Sequence, residues 1–299
     1  MAQQDYHDLL KPEVINTVSG LSLISRIVVE GFTSGLNRSV SVGPGMEFSQ
    51  YRGYEPGDDL RLLDWKMLAR SGRYYIKQSE IESQVTIKFI IDSSASMLHK
   101  EADLSKMDFV RVLVATLAYM AHKQGDAVGL FALNEKDVLS IYPKADKKHY
   151  NRLLLELINL SNTGKWPEPH ISNKRIPNRG GKELIFFLTD MYESNTEISS
   201  FIKGLKSSRN EVVVLQIMGA AEMDFNYGSN ITFEDWETGV RVKVDTENSK
   251  IEYVATLENR LKKIKEELLS NGIDHHVFRM DAHLGEALQL FLKQRKRLS

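Results

Sequence analysis

From about residue 84 onward, apolar runs of strand length alternate with segments of helical periodicity, which restricts the chain to a parallel sheet covered by helices on both faces. The first run is Val85-Thr86-Ile87-Lys88-Phe89-Ile90-Ile91. A helix is predicted over 106–124, where Phe109, Val110, Leu113, Val114 and Leu117 give a broad apolar face and Gly125 suits the stop. Further strands are expected at 127–133, 184–188, 212–218 and 275–280, with 138–141 as a short edge strand reached through the turn Asn134-Glu135-Lys136-Asp137. The other helices are placed at 149–160, from near 196 with Thr196 or Asn195 as cap, at 249–270 before Asn271-Gly272, and at 284–296 with Asp281 as cap. Two features interrupt the rhythm. A hairpin is read over 231–244 around Glu237-Thr238-Gly239, and 161–181, with three of the seven prolines, is read as a loop.

The first eighty residues differ in kind. Residues 14–32 are predicted helical with an interruption at Gly20, after which the chain becomes rich in Gly, Arg, Asp and aromatics. We take 1–80 as a small N-terminal cap segment joined closely to an α/β domain over 81–299. Arg52, Arg61 and Arg70 are its candidate clamps, since guanidinium groups bond carboxylates bidentately.

A formal net charge of -1 over 299 residues gives no global attraction to nucleic acid or to an anionic membrane. Tyr51, Tyr54, Tyr74 and Tyr75 lie near basic residues, but without a basic stripe they do not make a nucleic-acid platform. Cysteine is absent, which excludes thiolate metal sites and disulfides and fits a reducing compartment. The N-terminus lacks the order of a signal peptide and no apolar run approaches bilayer-spanning length, so a cytoplasmic protein without direct membrane insertion is expected.

The chemistry concentrates in Asp92-Ser93-Ser94-Ala95-Ser96, directly after the first strand. Alternate residues of an extended segment point the same way, so one carboxylate and two hydroxyls can converge on one divalent cation. The bare pattern arises by chance in on the order of one chain in ten of this length; its position between strand and helix carries the argument. The competing reading is a helix cap. In an open parallel sheet, ligands gather beyond the carboxyl ends of the strands where strand order reverses, and Asp190 also stands at such an end. If the two strands are neighbours, Asp190 joins Asp92, Ser94 and Ser96.

This arrangement resembles the metal-ion-dependent adhesion site of von Willebrand factor A-like domains, which adds a threonine from a second loop and binds a partner's carboxylate through Mg2+ or Mn2+. The nearest threonine here is Thr163, with Trp166 and Pro167 as alternative occupants of that place. Gly43-Pro44-Gly45-Met46-Glu47-Phe48 and the segment Tyr54-Glu55-Pro56-Gly57-Asp58-Asp59-Leu60-Arg61-Leu62-Leu63-Asp64-Trp65-Lys66 are similar to the signature of a bacterial family, domain of unknown function fifty-eight. Asp92 to Met97, Gly125-Asp126, Glu234 to Gly239 and Phe291 to Arg295 fit the same pattern. The resemblance implies a doubly wound, mostly parallel sheet of von Willebrand factor A type. It also implies a non-enzymatic interaction module that partners a MoxR-type AAA+ ATPase in chaperone-like maturation of client proteins.

The rival reading is a magnesium-dependent phosphohydrolase, which also places an Asp at the end of its first strand. Such enzymes carry Asp-x-Asp there, and this chain has Ser94 where the second Asp would stand. No Gly-x-x-x-x-Gly-Lys-Ser/Thr loop is present, so ATP hydrolysis by the chain itself is not expected. His275-His276 on a strand would face opposite ways and are read as packing residues, and Lys262-Lys263 with Glu266-Glu267 as a solvated helix face.

Overall fold

The computed structural model describes residues 6–36, 48–56, 58, 63–79, 84–168, 176, 182–193, 196–228, 231–235 and 239–298. In chain order the main elements are helix α1 (Val18–Leu36), strand β1 (Thr86–Asp92), α2 (Lys106–Lys123), β2 (Ala127–Leu133), β3 (Val138–Lys144) and α3 (Lys147–Ile158). There follow β4 (Glu183–Thr189), α4 (Glu197–Leu205), β5 (Asn210–Met218), α5 (Thr246–Ser270), β6 (Asp274–Arg279) and α6 (Gly285–Leu298). The six strands form one sheet in the order β6-β5-β4-β1-β2-β3. Every pairing is parallel except the last, where β3 returns antiparallel along β2 as the short turn required. The expected α/β class and doubly wound, mostly parallel sheet are therefore what the chain adopts, with the hairpin Ile231–Glu234/Arg241–Val244 outside that sheet.

The central strands are apolar on both faces because both faces are covered. On one face Ile87, Phe89 and Ile91 meet α1, α2, α3 and α6 through residues such as Ile24, Leu113, Leu154 and Phe291. On the other, Ile90, Phe131, Phe187 and Val214 meet Ile198 and Ile202 of α4 and Leu268 of α5. One charged pair lies inside this second face: the Lys88 ammonium stands 2.7 Å from both carboxylate oxygens of Glu183 across β1 and β4.

Several helix ends differ from expectation. Thr196 precedes α4 with a left-handed backbone and no capping bond; the Glu193 carboxylate instead accepts from the N–H groups of Ile198 and Ser199. Asn195 lies outside the described residues. Asp281 pairs with Arg279 at 3.0 Å instead of capping α6. The expected break at Gly20 falls earlier, between the short helix Pro12–Ile15 and α1. Gly20 sits inside α1 because a Cβ there would stand 2.0 Å from the Val14 carbonyl oxygen, a close approach that only glycine permits.

The N-terminal segment has two parts. Helix α1 buries Leu21, Ile24 and Val28 in the main core. Residues 48–79 form a separate ribbon, in which strands Phe48–Gly53 and Tyr75–Ser79 pair antiparallel around the helix Trp65–Ser71, itself capped by Asp64. Arg52 pairs with Asp58 at 2.7 Å and Glu55 at 3.6 Å, inside that ribbon, and Arg70 is exposed. The clamp on the sheet domain is Arg111 of α2, which binds Asn16, Asp108 and the last carbonyls of α3. Arg61, the stretch from Gly43 to Glu47 and the turn residues Glu237 and Thr238 lie outside the described residues. Among the described residues no helix is long and apolar enough to cross a membrane.

Candidate metal centre

Strands β1 and β4 are neighbours, with Ile91 opposite Leu188, so their carboxyl ends open at one place. That place is where the chain order reverses: β2 and β3 continue on one side of β1, and β4 begins the other. Asp92 is fully buried at the end of β1. Its Oδ1 accepts from the Ser94 N–H at 3.0 Å, and its Oδ2 from the Thr189 hydroxyl at 2.8 Å. The Ser94 and Ser96 hydroxyl oxygens stand 3.0 Å apart, and Ser96 Oγ donates to Asp190 Oδ1 at 3.2 Å. The structure thus brings together Asp92, Ser94, Ser96 and Asp190.

The helix-cap alternative fails for these serines. Ser94 makes no side-chain capping bond, and α2 is capped by Ser105, which exchanges bonds with Asp108 in a reciprocal capping box. The two hydroxyls are turned toward each other, and that of Ser96 toward Asp190.

Thr163 lies in the loop beside this turn. Its N–H donates to the Ser93 carbonyl at 3.1 Å, and the Gly164 carbonyl accepts from Ala95 N–H at 2.8 Å, so the two loops are laced by backbone bonds. Gly164 holds φ +63°, and a Cβ there would run into the Glu135 side chain. Trp166 packs against Phe187 and Phe201 at 5.5 and 5.2 Å, in the core of the opposite sheet face, and does not stand at the site.

Three residues that the sequence did not mark complete the surroundings. Thr189 fixes Asp92. Lys106, buried at the start of α2, places its ammonium 3.3 Å from Asp190 Oδ2 and 3.0 Å from Glu222 Oε2. Burial works against its charge, but Asp190 and Glu222 outweigh it and hold the ammonium above the usual lysine range. Glu222 is positioned in turn by the helix Ala220–Asp224, whose first N–H groups bind Glu101 at 2.7 and 2.6 Å. Burial, and then the nearby Asp190 charge, push the Asp92 carboxyl up to about 6.

Among the described residues no group of three or more His, Cys, Asp or Glu could hold a metal ion, so a cation here would depend on hydroxyl oxygens. The donors are all hard oxygens, which suits Mg2+ or Mn2+ and not a soft metal. Two ligands at right angles on an octahedral Mg2+ stand roughly 3.0 Å apart, the spacing seen from Ser94 to Ser96 and approached from Ser96 to Asp190. Each Asp92 oxygen keeps one lone pair beyond its hydrogen bond. The residues present fit the ion.

Residues 50–262 match the family described as Protein of unknown function DUF58. The chain belongs to this family. Relatives include the uncharacterized protein Rv1480 of Mycobacterium tuberculosis, 21% identical over 242 residues that cover 78% of this chain and 74% of the relative. Uncharacterized protein Mb1516 of Mycobacterium bovis gives the same values. Similar solved structures include the conserved hypothetical protein BatB of Bacteroides thetaiotaomicron, 15% identical with a TM-score of 0.47, covering 71% of this chain and 99% of that one. The SpRpn10 VWA domain is 11% identical with a TM-score of 0.39, covering 69% and 94%.

In this DUF58 chain Asp235, within a stretch noted in the sequence for its family likeness, reaches the same end of the sheet. The Tyr192 hydroxyl, two residues beyond Asp190, donates to Asp235 Oδ2 at 2.7 Å and ties the hairpin to the site loop. Arg260 of α5 holds the same loop through the Met191 carbonyl at 3.0 Å.

Proposed function

We propose that this DUF58 protein is a non-enzymatic interaction module in which Asp92, Ser94, Ser96 and Asp190 hold Mg2+ or Mn2+, and the ion captures a carboxylate of a protein partner. Thr163 is proposed as the fifth contributor from the neighbouring loop. The observation that supports the reading is the oxygen spacing of 3.0 and 3.2 Å around Ser96, made by hydroxyls that cap no helix. Neutral hydroxyls leave much of the ion's charge uncompensated, so it attracts a further anionic ligand. The partner class implied by the family resemblance, a MoxR-type AAA+ ATPase acting with it in maturation of client proteins, completes the proposal, with the complex in the cytoplasm.

The phosphohydrolase reading has less support. Asp92 is fully buried, both of its oxygens accept hydrogen bonds, and Ser94 stands where a general acid would be needed.

A manganese titration followed by electron paramagnetic resonance tests the site. Saturable binding is expected in the wild type, with displacement by Mg2+ and loss in a folded Ser94→Ala/Ser96→Ala variant. Capture of the ATPase should be lost on chelation and in the same variant. Equal Mn2+ binding by both proteins would overturn the cation reading, and chelator-resistant capture would overturn the metal bridge.

A further inference from the structure

The cavity lined by two of the candidate metal ligands, Ser96 and Asp190, does not end at them. It has a volume of about 520 Å³ and runs from Ser96, Lys106 and Asp190 into a wall of Phe225, Phe233 and Tyr253. Phe225 stacks on Tyr253 with ring centroids 4.3 Å apart, and Tyr227 meets Phe233 edge-on at 5.1 Å. Phe225, which lines the cavity, and Met191, between the lining residues Asp190 and Tyr192, are buried and non-glycine and hold left-handed φ values of +49° and +57°. Such conformations cost on the order of 1–3 kcal/mol and persist where the surroundings enforce them.

The acidic groups along the cavity are already engaged. Glu222 binds Lys106 and the Gly219 N–H, Glu234 pairs with Arg241, and Asp235 accepts from Tyr192. An organic cation therefore meets carboxylates that have partners, whereas an apolar group meets aromatic faces and the valines of the hairpin. The apolar lining reaches the rim through Val240 and Val242, which are 58% and 53% exposed. An exposed apolar rim of this kind suits a polypeptide laid across the hairpin.

We infer that the partner segment carries an acidic residue immediately beside an aromatic or large aliphatic one, the carboxylate going to the cation and the apolar side chain into the aromatic pocket. This rests on the cation reading of the site and adds the identity of the neighbouring residue. The division of labour follows from the chemistry. The ion would fix one atom, and the aromatic wall would select the residue next to it.

The test uses the full chain with Mg2+ and three end-capped, fluorescein-labelled peptides read by anisotropy: Gly-Gly-Asp-Phe-Gly, Gly-Gly-Asp-Gly-Gly and Gly-Gly-Lys-Phe-Gly. Burying a phenylalanine side chain predicts that Asp-Phe binds roughly tenfold or more tightly than Asp-Gly, with chelation abolishing both. Phe233→Ala should erase the preference for Asp-Phe while Mn2+ binding, read by resonance, stays as in the wild type. Val242→Gln at the exposed rim should weaken the preference if Phe233→Ala does not fold. Equal affinity for Asp-Phe and Asp-Gly in a protein that binds Mn2+ overturns the inference and leaves the cation reading standing. Absence of Mn2+ binding overturns both. Tighter binding of Lys-Phe than Asp-Phe overturns the inference in favour of a cation-accepting cage.

Discussion

Lys106 and the proposed divalent ion would answer the same need, because each would supply positive charge to the buried Asp190 carboxylate. The ammonium is 4% exposed and binds Asp190 through the oxygen that Ser96 does not use. Removing it strands buried carboxylates, and breaking such a pair from one side costs about 3–5 kcal/mol. Lys106→Met is therefore expected to lower the melting temperature of metal-free protein by several degrees. Saturating Mg2+ should recover more stability in that variant than in the wild type, since bound ligand stabilises by mass action. Differential scanning fluorimetry with and without chelator checks both. Asp92 gives a pH signature. Its carboxyl titrates near 6 in the fold and about 4 in an unfolded chain, so the folded state binds the proton more tightly. In metal-free protein this group favours the fold below about pH 4, and that contribution is lost as pH rises through 6. For cation binding the sign is opposite, because the proton must leave first. Mn2+ affinity measured by titration should be level above pH 7 and fall roughly tenfold per unit below about 6.

At the scale of elements, the residues that were legible are those whose geometry is local. Asp92, Ser94 and Ser96 could be read because they are close in sequence, although the chain turns after Asp92 into a short 3-10 helix, Ala95–Leu98, and does not continue extended as the alternate spacing assumed. Asp190 needed one further fact, the adjacency of β1 and β4, which the alternation of strands and helices constrained without deciding. Lys106, Thr189 and Glu222 could not be read, because nothing local separates a buried helix-start lysine from the many that face solvent. Lys88 did leave a signal: a charge in the middle of an apolar run implies a partner, and Glu183 begins the next buried strand. This pair, 2.7 Å apart and almost wholly buried, makes a testable prediction. Lys88→Met alone should cost about 3–5 kcal/mol, whereas Lys88→Met combined with Glu183→Met should recover most of it, since the unpaired charge does the damage. Urea denaturation midpoints of the single and double variants check the cycle. A double variant no more stable than either single would show that the pair does more than neutralise itself.

Across the whole molecule, the sheet domain was readable and its closure was not. The succession of strands along the chain and the two covered faces follow from apolar runs and helical periodicity, the order of strands in the sheet does not, and the N-terminal helix α1 joins that core although the composition sets the first eighty residues apart. Helix termini were read less well, because Thr196 and Asp281 have the right chemistry for caps while Glu193 and Arg279 compete for the same bonds. The pairing of Asp126 with Arg295 had no signal in the sequence beyond the family likeness of the segments that hold them, yet the two form one contact. Asp126, wholly buried below the sheet, accepts from the Val85 N–H and takes the Arg295 guanidinium at 2.7 and 3.2 Å. The two residues are 169 positions apart. A ribosome adding about 5–20 residues per second needs roughly ten to thirty seconds to travel from one to the other. Throughout that interval a nascent chain carries the anion without its counterpart, so the strands made first wait for one of the last helices before their lower end can seal.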